Sequence, residues 1–471
     1  MKNRGFAGWI SRQSPLFWSK IFHKFIAKGG GFTSLYDELR EKHKTFVFYD
    51  YRLENGVLTY HFGIDGYDFY PTWTFGFDLG KLDFDREQAD LIMFSLGMAE
   101  LVSYWKCCCS PRVEIRCGAL SDWQKNWWKK LYFNGLGEFF YRNKIDADFD
   151  DFMTIEAPSP TAKKRFAPRL SGSLVPIGGG KDSAVSLELL KQAGEDITPF
   201  MINGRKAIYG CVEAAEIPLE KAVCFKRTID KTLLGLNQKG YLNGHTPFSA
   251  VVAFSTVLCG CFLGKRYAVL SNESSANETY VDGKNVNHQY SKSTEFERDF
   301  REYCAETFSD CTEYFSLLRP LSEWQIAREF VKYPQYFPVF QSCNLGGKTD
   351  VWCCECAKCL YVYVLLAAFL DDETLVKIFG TDLLRKTELS GILDGLMLDG
   401  EDKPFECVGT KNEVRLSLSM ALDRRKENTP PLLKRFAERF PEYKPVDLKS
   451  FFDRDNFVPE KFLPYVRKTA L

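Results

Sequence analysis

Three consecutive glycines run straight into a lysine, an aspartate and a serine: Gly178, Gly179, Gly180, Lys181, Asp182 and Ser183. An apolar run, residues 173–177, comes before them. After them Ala184, Leu187 and Leu190 lie three apart and Val185 and Leu189 four apart, the spacing of one helical face, until Gly194. Strand, glycine loop and helix N-terminus in that order offer an anion free backbone N–H groups and the positive end of a helix. Glycines let the backbone approach phosphate oxygens with no Cβ in the way. The loop is not a Walker loop, which needs glycine where Val175 stands and Ser or Thr where Asp182 stands, and the G-x-G-x-x-G fingerprint is absent. The residue types suit a leaving pyrophosphate held by the loop amides and Ser183. Asp182 would bind Mg²⁺ and Lys181 would add positive charge. A structural glycine turn that opens a helix is the plainer alternative.

Other residues suit proton transfer or ligand binding. Of five histidines, His245 and His288 sit in polar strings, and Cys407 lies in a small-residue turn where a thiolate can be exposed. Each can equally be a hydrogen-bonded structural residue. Asn272, Glu273 and Glu278 follow the apolar run "RYAVL", which places them near the carboxyl edge of a sheet, to hold Mg²⁺ or substrate amides or merely to cap a loop. Gln289, Ser291 and Lys292 suit a carboxylate or a diphosphate. Cys343, Cys353, Cys356 and Cys359 have the spacing C-x9-C-x2-C-x2-C, which fits four thiolates around a tetrahedral Zn²⁺, with Cys354 spare. Unliganded buried cysteines or redox chemistry are the alternatives.

Residues 178–183, "GGGKDS", resemble the Ser-Gly-Gly-x-Asp-Ser loop of the ATP pyrophosphatase (PP-loop) family, with Gly178 in place of the first serine. The strings "LNQKGYLNGHTPFSA" (236–250), "LSNESSANE" (270–278), "VNHQYSKSTEFERDF" (286–300), "WCCECAKCLYVY" (352–363) and "KPFECVGT" (403–410) resemble one family, the UDP-N-acetylmuramoyl-L-alanyl-L-glutamate epimerases. The resemblance covers about residues 95 to 425. It implies a cytoplasmic, ATP- and Mg²⁺-dependent enzyme of peptidoglycan precursor synthesis. The terminal L-glutamate of a UDP-sugar-peptide is adenylated, inverted and released as D-glutamate with AMP and diphosphate. His245, Cys407 and Asp182 are the residues expected to carry the catalysis. Substrate contacts are expected from Asn243, Thr246, Asn272, Glu273, Glu278, His288, Gln289, Ser291, Lys292, Lys403 and Glu406. The cysteine spacing is similar to that of another PP-loop branch, the 7-cyano-7-deazaguanine synthases. A nucleobase-building or sulfur-transfer ligase that uses the same adenylate step is the second enzyme reading.

These residues need elements to position them. From residue 173, short apolar runs ("SLVPI", "ITPFMI", "AVCFK", "RYAVLS") alternate with helix-length segments, the longest "FSAVVAFSTVLCGCFLG". That pattern predicts a parallel α/β sheet with ligands at the carboxyl ends of its strands. The expected fold class is α/β, a parallel-sheet PP-loop domain over 173–370. An α+β N-terminal domain over 1–155 and a proline-rich linker at 156–172 precede it, and a mostly helical region follows over 371–471. In the N-terminal part "TFVFYDYRL" and "VLTYHFGI" read as strands, residues 88–105 as a helix, and the aromatic-basic stretch "DWQKNWWKKLYFNGLGEFFYRN" as a core-facing helix.

Composition bounds the partners. The 471 residues carry 62 Lys and Arg against 62 Asp and Glu, 45% hydrophobic residues and 26% charged. Zero formal charge argues against a general nucleic-acid binder and against an RNA-binding module. Sixteen cysteines spread over so long a chain fit a reducing cytosol better than a disulfide scaffold. The longest apolar run, residues 359–370, is too short to cross a bilayer and reads as a buried helix. The N-terminus has basic residues and no acid before Asp37, which suits a transit segment or a solvated basic leader.

Overall fold

The structure is a computed structural model that describes residues 34–161, 165–281 and 286–470. The basic leader expected at the N-terminus lies outside the described residues, as does part of the expected linker. The described residues build a mixed α/β fold on one mostly parallel sheet of eleven strands, in the order β11-β10-β7-β8-β9-β4-β2-β1-β5-β6, with β3 paired to β2. Its parallel half is β7 (Ser171–Pro176), β8 (Ile197–Ile202), β9 (Val223–Thr228), β10 (Lys265–Leu270) and β11 (Glu313–Ser316). The other half is β1 (Thr45–Glu54), β2 (Val57–Ile64), β3 (Tyr67–Phe69), β4 (Thr72–Thr74), β5 (Arg112–Ile115) and β6 (Thr154–Glu156).

The two halves meet where β4 adds antiparallel to β9, Trp73 opposite Arg227. The sequence boundary at 156–172 therefore does not divide two sheets. Without β4, the outer edge of β9 would expose a row of unpaired backbone groups. At this seam Glu100, fully buried, accepts from Trp73 Nε1 at 2.9 Å and from Arg227 Nη2 at 2.7 Å.

Alternation along the central strands splits the core in two. Leu174, Phe200 and Ala268 face one hydrophobic layer, while Val175, Met201 and Val269 face the other. The first layer takes in the aromatic N-terminal region and the helix Arg86–Trp105, with Trp128 and Tyr132 of the helix Asp122–Gly135 fully buried in it. The second takes in the buried helix Ala357–Ala367 and the C-terminal helices, including Lys411–Arg424. The helix Phe248–Leu263 stops at Gly264, whose φ of +61° ends it in the left-handed conformation. Among the described residues no helix is long and apolar enough to cross a membrane.

Candidate active site

β7 ends at Pro176, which needs no ladder donor there, and Ile177 N–H still donates to Phe200 at 2.8 Å. The three glycines that follow have different reasons to be glycine. Gly179 has φ +83°, and a Cβ on it would stand 3.2 Å from the backbone of Ala207 and Ile208. A Cβ on Gly178 would meet nothing within 4 Å. Gly180 is the N-cap of the helix Lys181–Gln192 and supplies no side chain to the free amides of the first turn. Those amides are what an anion would use.

Lys181 does not face the space above this loop. It is buried, and its ammonium is paired with Asp182 and Glu323. Burial pushes Glu323 up, and the neighbouring Lys181 keeps Asp182 ionised despite its own desolvation. Ser183 Oγ donates to Gly180 O at 3.0 Å. Gly178, Gly180, Asp182 and Ser183 line a cavity of about 300 Å³ at the carboxyl ends of the strands. Asn272, Lys292 and Cys407 share it, so residues more than two hundred positions apart converge there. Residues that the sequence reading missed also line it, namely Arg205, Ser342, Asn344 and Lys358.

Cys407 is held as an anion. Lys292 Nζ lies 3.2 Å from its sulfur, and Lys358 Nζ donates to its carbonyl. Burial alone would raise the thiol. Lys292, a hydrogen bond with His288 and the charge of Lys358 outweigh it and bring the thiol down to about 6. Burial likewise opposes charge on His288. Its hydrogen bonds with Cys407 and Glu138 win, and raise it to about 9. Between those values the pair is a thiolate and an imidazolium.

Glu138 is the link that sequence reasoning missed. It lies on the short helix Gly137–Asn143, inside the stretch read as a core helix. Its Oε2 is 2.5 Å from Nδ1 of His288 and 3.5 Å from Nδ1 of His245. The two imidazoles lie 4.5 Å apart, centre to centre. Burial and the charge on His288 push His245 down to about 3, which leaves it a neutral ring behind the charged one. His288, not His245, is the histidine that touches Cys407.

The other predicted residues divide. Glu273 is buried and accepts from Ser275 Oγ at 3.1 Å. Gln289 Nε2 donates to Tyr280 OH at 2.7 Å, and Ser291 is buried beside Lys292. Glu406 accepts from Asn344 Nδ2 at 2.8 Å. Glu278 and Lys403 pair at 2.8 Å in a neighbouring cleft of about 520 Å³. Asn243 and Thr246 contribute main-chain carbonyls, to Asn143 Nδ2 at 3.2 Å and Phe248 N at 2.7 Å. The sulfurs of Cys343, Cys353, Cys356 and Cys359 converge within 4.8 Å of one another, a set able to hold a metal ion.

Two family profiles cover most of the chain, the MurL N-terminal domain over residues 37–317 and the MurL C-terminal domain over 339–450. A UDP-N-acetyl-alpha-D-muramoyl-L-alanyl-L-glutamate epimerase of Xanthomonas oryzae pv. oryzae is 36% identical over 357 residues, 74% of this chain and 78% of that protein. The Micromonospora protein of the same name is 33% identical over 413 residues, 84% of this chain and 91% of its own length. The Salinispora tropica one is 37% identical over 321 residues, 66% and 69%. No solved structure matches the chain.

Proposed function

Because this chain belongs to the MurL epimerase family, we propose that it inverts the terminal glutamate of UDP-MurNAc-L-Ala-L-Glu, through an acyl adenylate made from ATP, on the way to peptidoglycan. The observation that carries this reading is that a glycine loop at a helix N-terminus and a thiol lowered to about 6 open into one cavity.

The chemistry explains why both are needed. The Cα–H beside a carboxylate is a very weak acid, because its removal stacks negative charge on negative charge. Attack of the α-carboxylate oxygen on the α-phosphorus expels pyrophosphate and leaves a mixed anhydride. Its carbonyl can then take up the carbanion electrons as an enolate. The free amides of the first turn of the helix Lys181–Gln192, with Ser183, would receive the pyrophosphate. Asp182, ionised and facing the cavity, would hold Mg²⁺, which would neutralise phosphate charge. Arg205, Lys292 and Lys358 add fixed positive charge.

Cys407, as thiolate, would take the Cα proton. His288 and Lys292 keep it deprotonated, and Glu138 keeps His288 charged. A proton drawn from water on the opposite face gives the D centre, and Cys407 returns its own proton to solvent. Hydrolysis of the anhydride then returns the carboxylate and releases AMP.

The test is incubation with ATP, Mg²⁺ and UDP-MurNAc-L-Ala-L-Glu in D₂O, with AMP, glutamate chirality and deuterium at Cα measured together. All three should rise in step. AMP without D-glutamate would favour the ligase reading and remove the substrate assignment. Asp182→Ala should abolish AMP release from a folded protein, and normal turnover by that variant would refute the loop's role.

A further inference from the structure

We infer that Cys343, Cys353, Cys356 and Cys359 form a structural tetrathiolate site for one Zn²⁺. This inference is independent of the epimerase reading. The sulfurs of Cys343 and Cys356 are 3.8 Å apart and those of Cys353 and Cys359 are 3.6 Å apart. All four lie within 4.8 Å of one another. Four thiolates at about 2.3 Å from a central zinc stand about 3.8 Å apart along each tetrahedral edge. An iron–sulfur cluster would need the sulfurs spread around a core of several atoms, so a single ion fits better.

The surroundings are those of a ligand shell. Gly346 N–H points at the Cys343 sulfur from 3.2 Å, the outer hydrogen bond that a charged thiolate takes. A side chain at Gly346 would put its Cβ 1.8 Å from Val351 O, so this turn admits only glycine. Cys356 is the N-cap of the helix Ala357–Ala367 and Cys359 sits in its first turn, so the anionic centre lies at the positive end of a helix. The fifth cysteine of the segment is accounted for elsewhere, since Cys354 Sγ is 3.1 Å from Phe379 O.

The site also has a consequence for the cavity. The residue before Cys343 is Ser342, which packs 3.3 Å from the Cβ position of Gly180. The residue after it is Asn344, and Lys358 lies between Cys356 and Cys359; all three line the cavity. One bound ion therefore clamps three residues of the cavity wall whose backbone forms no strand and only the start of a helix.

The experiment is metal analysis of the full chain, purified without an affinity tag from zinc-supplemented cells. About one zinc per chain is expected, with four sulfur neighbours at about 2.3 Å by X-ray absorption. Cobalt exchanged into the site should show thiolate-to-metal charge transfer and tetrahedral ligand-field bands. Cys356→Ser should lose the zinc while Cys354→Ser keeps it. If Cys356→Ser does not fold, the absorption and cobalt spectra of the unaltered chain decide the matter. A chain with less than about a tenth of one zinc and no cobalt spectrum overturns the inference, as do nitrogen or oxygen neighbours in place of sulfur. Equal loss of zinc in Cys354→Ser also overturns it.

Discussion

The thiolate at Cys407 can be tested without substrate. Lowering a thiol from its ordinary 9.0 to about 6 means that the surroundings favour the anion by about 4 kcal/mol. At pH 6.5 such a thiol is about three-quarters ionised. The Lys292 charge is the largest lowering influence and the His288 hydrogen bond the next. Lys292→Met should therefore move the midpoint up, towards about 7.5, and His288→Gln should move it in the same direction. At a midpoint of 7.5 the ionised fraction at pH 6.5 falls to about a tenth, roughly an eightfold drop. The sign is fixed, because reactivity is lost as pH falls through the midpoint and removal of a cation raises that midpoint. The assay is the rate of iodoacetamide labelling of the Cys407 peptide from pH 5 to 9.5, read by mass spectrometry. The midpoint is the readout, not the plateau, because a more basic thiolate is also a stronger nucleophile. A midpoint near 9 in the unaltered chain, or one that neither substitution moves, would refute the reasoning.

Gly178→Ser should leave stability within about 0.5 kcal/mol in a denaturant titration, since its Cβ enters open space, whereas Gly179→Ala should cost about 1–3 kcal/mol because it combines positive φ with a 3.2 Å backbone contact. Glu100→Ala should cost about 3–5 kcal/mol in the same titration, because it leaves Arg227 charged and Trp73 Nε1 without its acceptor at the seam of the sheet. Glu138→Gln should lower the midpoint of His288 from about 9, because its carboxylate partner is lost. With five histidines in the chain, the imidazole resonances in NMR can report it directly.

Local pattern carried the central strands and longest helices. "VLTYHFGI" and "ITPFMI" are β2 and β8 residue for residue, and the expected helix at 88–105 runs Arg86–Trp105. β2 alternates over part of its length, while β8 and the helix Arg86–Trp105 are apolar runs buried on nearly every side, and all three are long enough to stand out locally. Strands β3 to β6 and β11 are three or four residues long, too short to show a period, and exist because neighbours pair with them. The joining of β4 to β9 is a contact between residues 72–74 and 226–228, which no local window contains. The site divides in the same way. The glycine loop announced itself because its chemistry is contiguous. Cys407 and His288 were visible as reactive types, but not as partners. Glu138 was hidden because a charged residue among phenylalanines on an amphipathic helix reads as its solvent side; in the folded chain it is buried against two imidazoles. Lys181 was the reverse case, a lysine in a phosphate-like loop whose ammonium is buried and paired with Asp182 and Glu323.

The cavity joins its two chemistries through shared cations. Lys358 and Lys292 both favour the anionic form of Asp182, and the same two ammonium groups lower Cys407. A triphosphate bound to the loop would bring several negative charges near these ammonium groups and so compete with the thiolate for them. Cys407 would then be driven towards its protonated form while the phosphates are present. It would recover its charge once pyrophosphate departs, which is also when an acyl adenylate first makes the Cα proton acidic enough to take. In the proposed reaction the thiolate is thus least populated before activation and most populated after it. That order follows from Coulomb interactions among Asp182, Lys292, Lys358 and Cys407 and requires no moving lid.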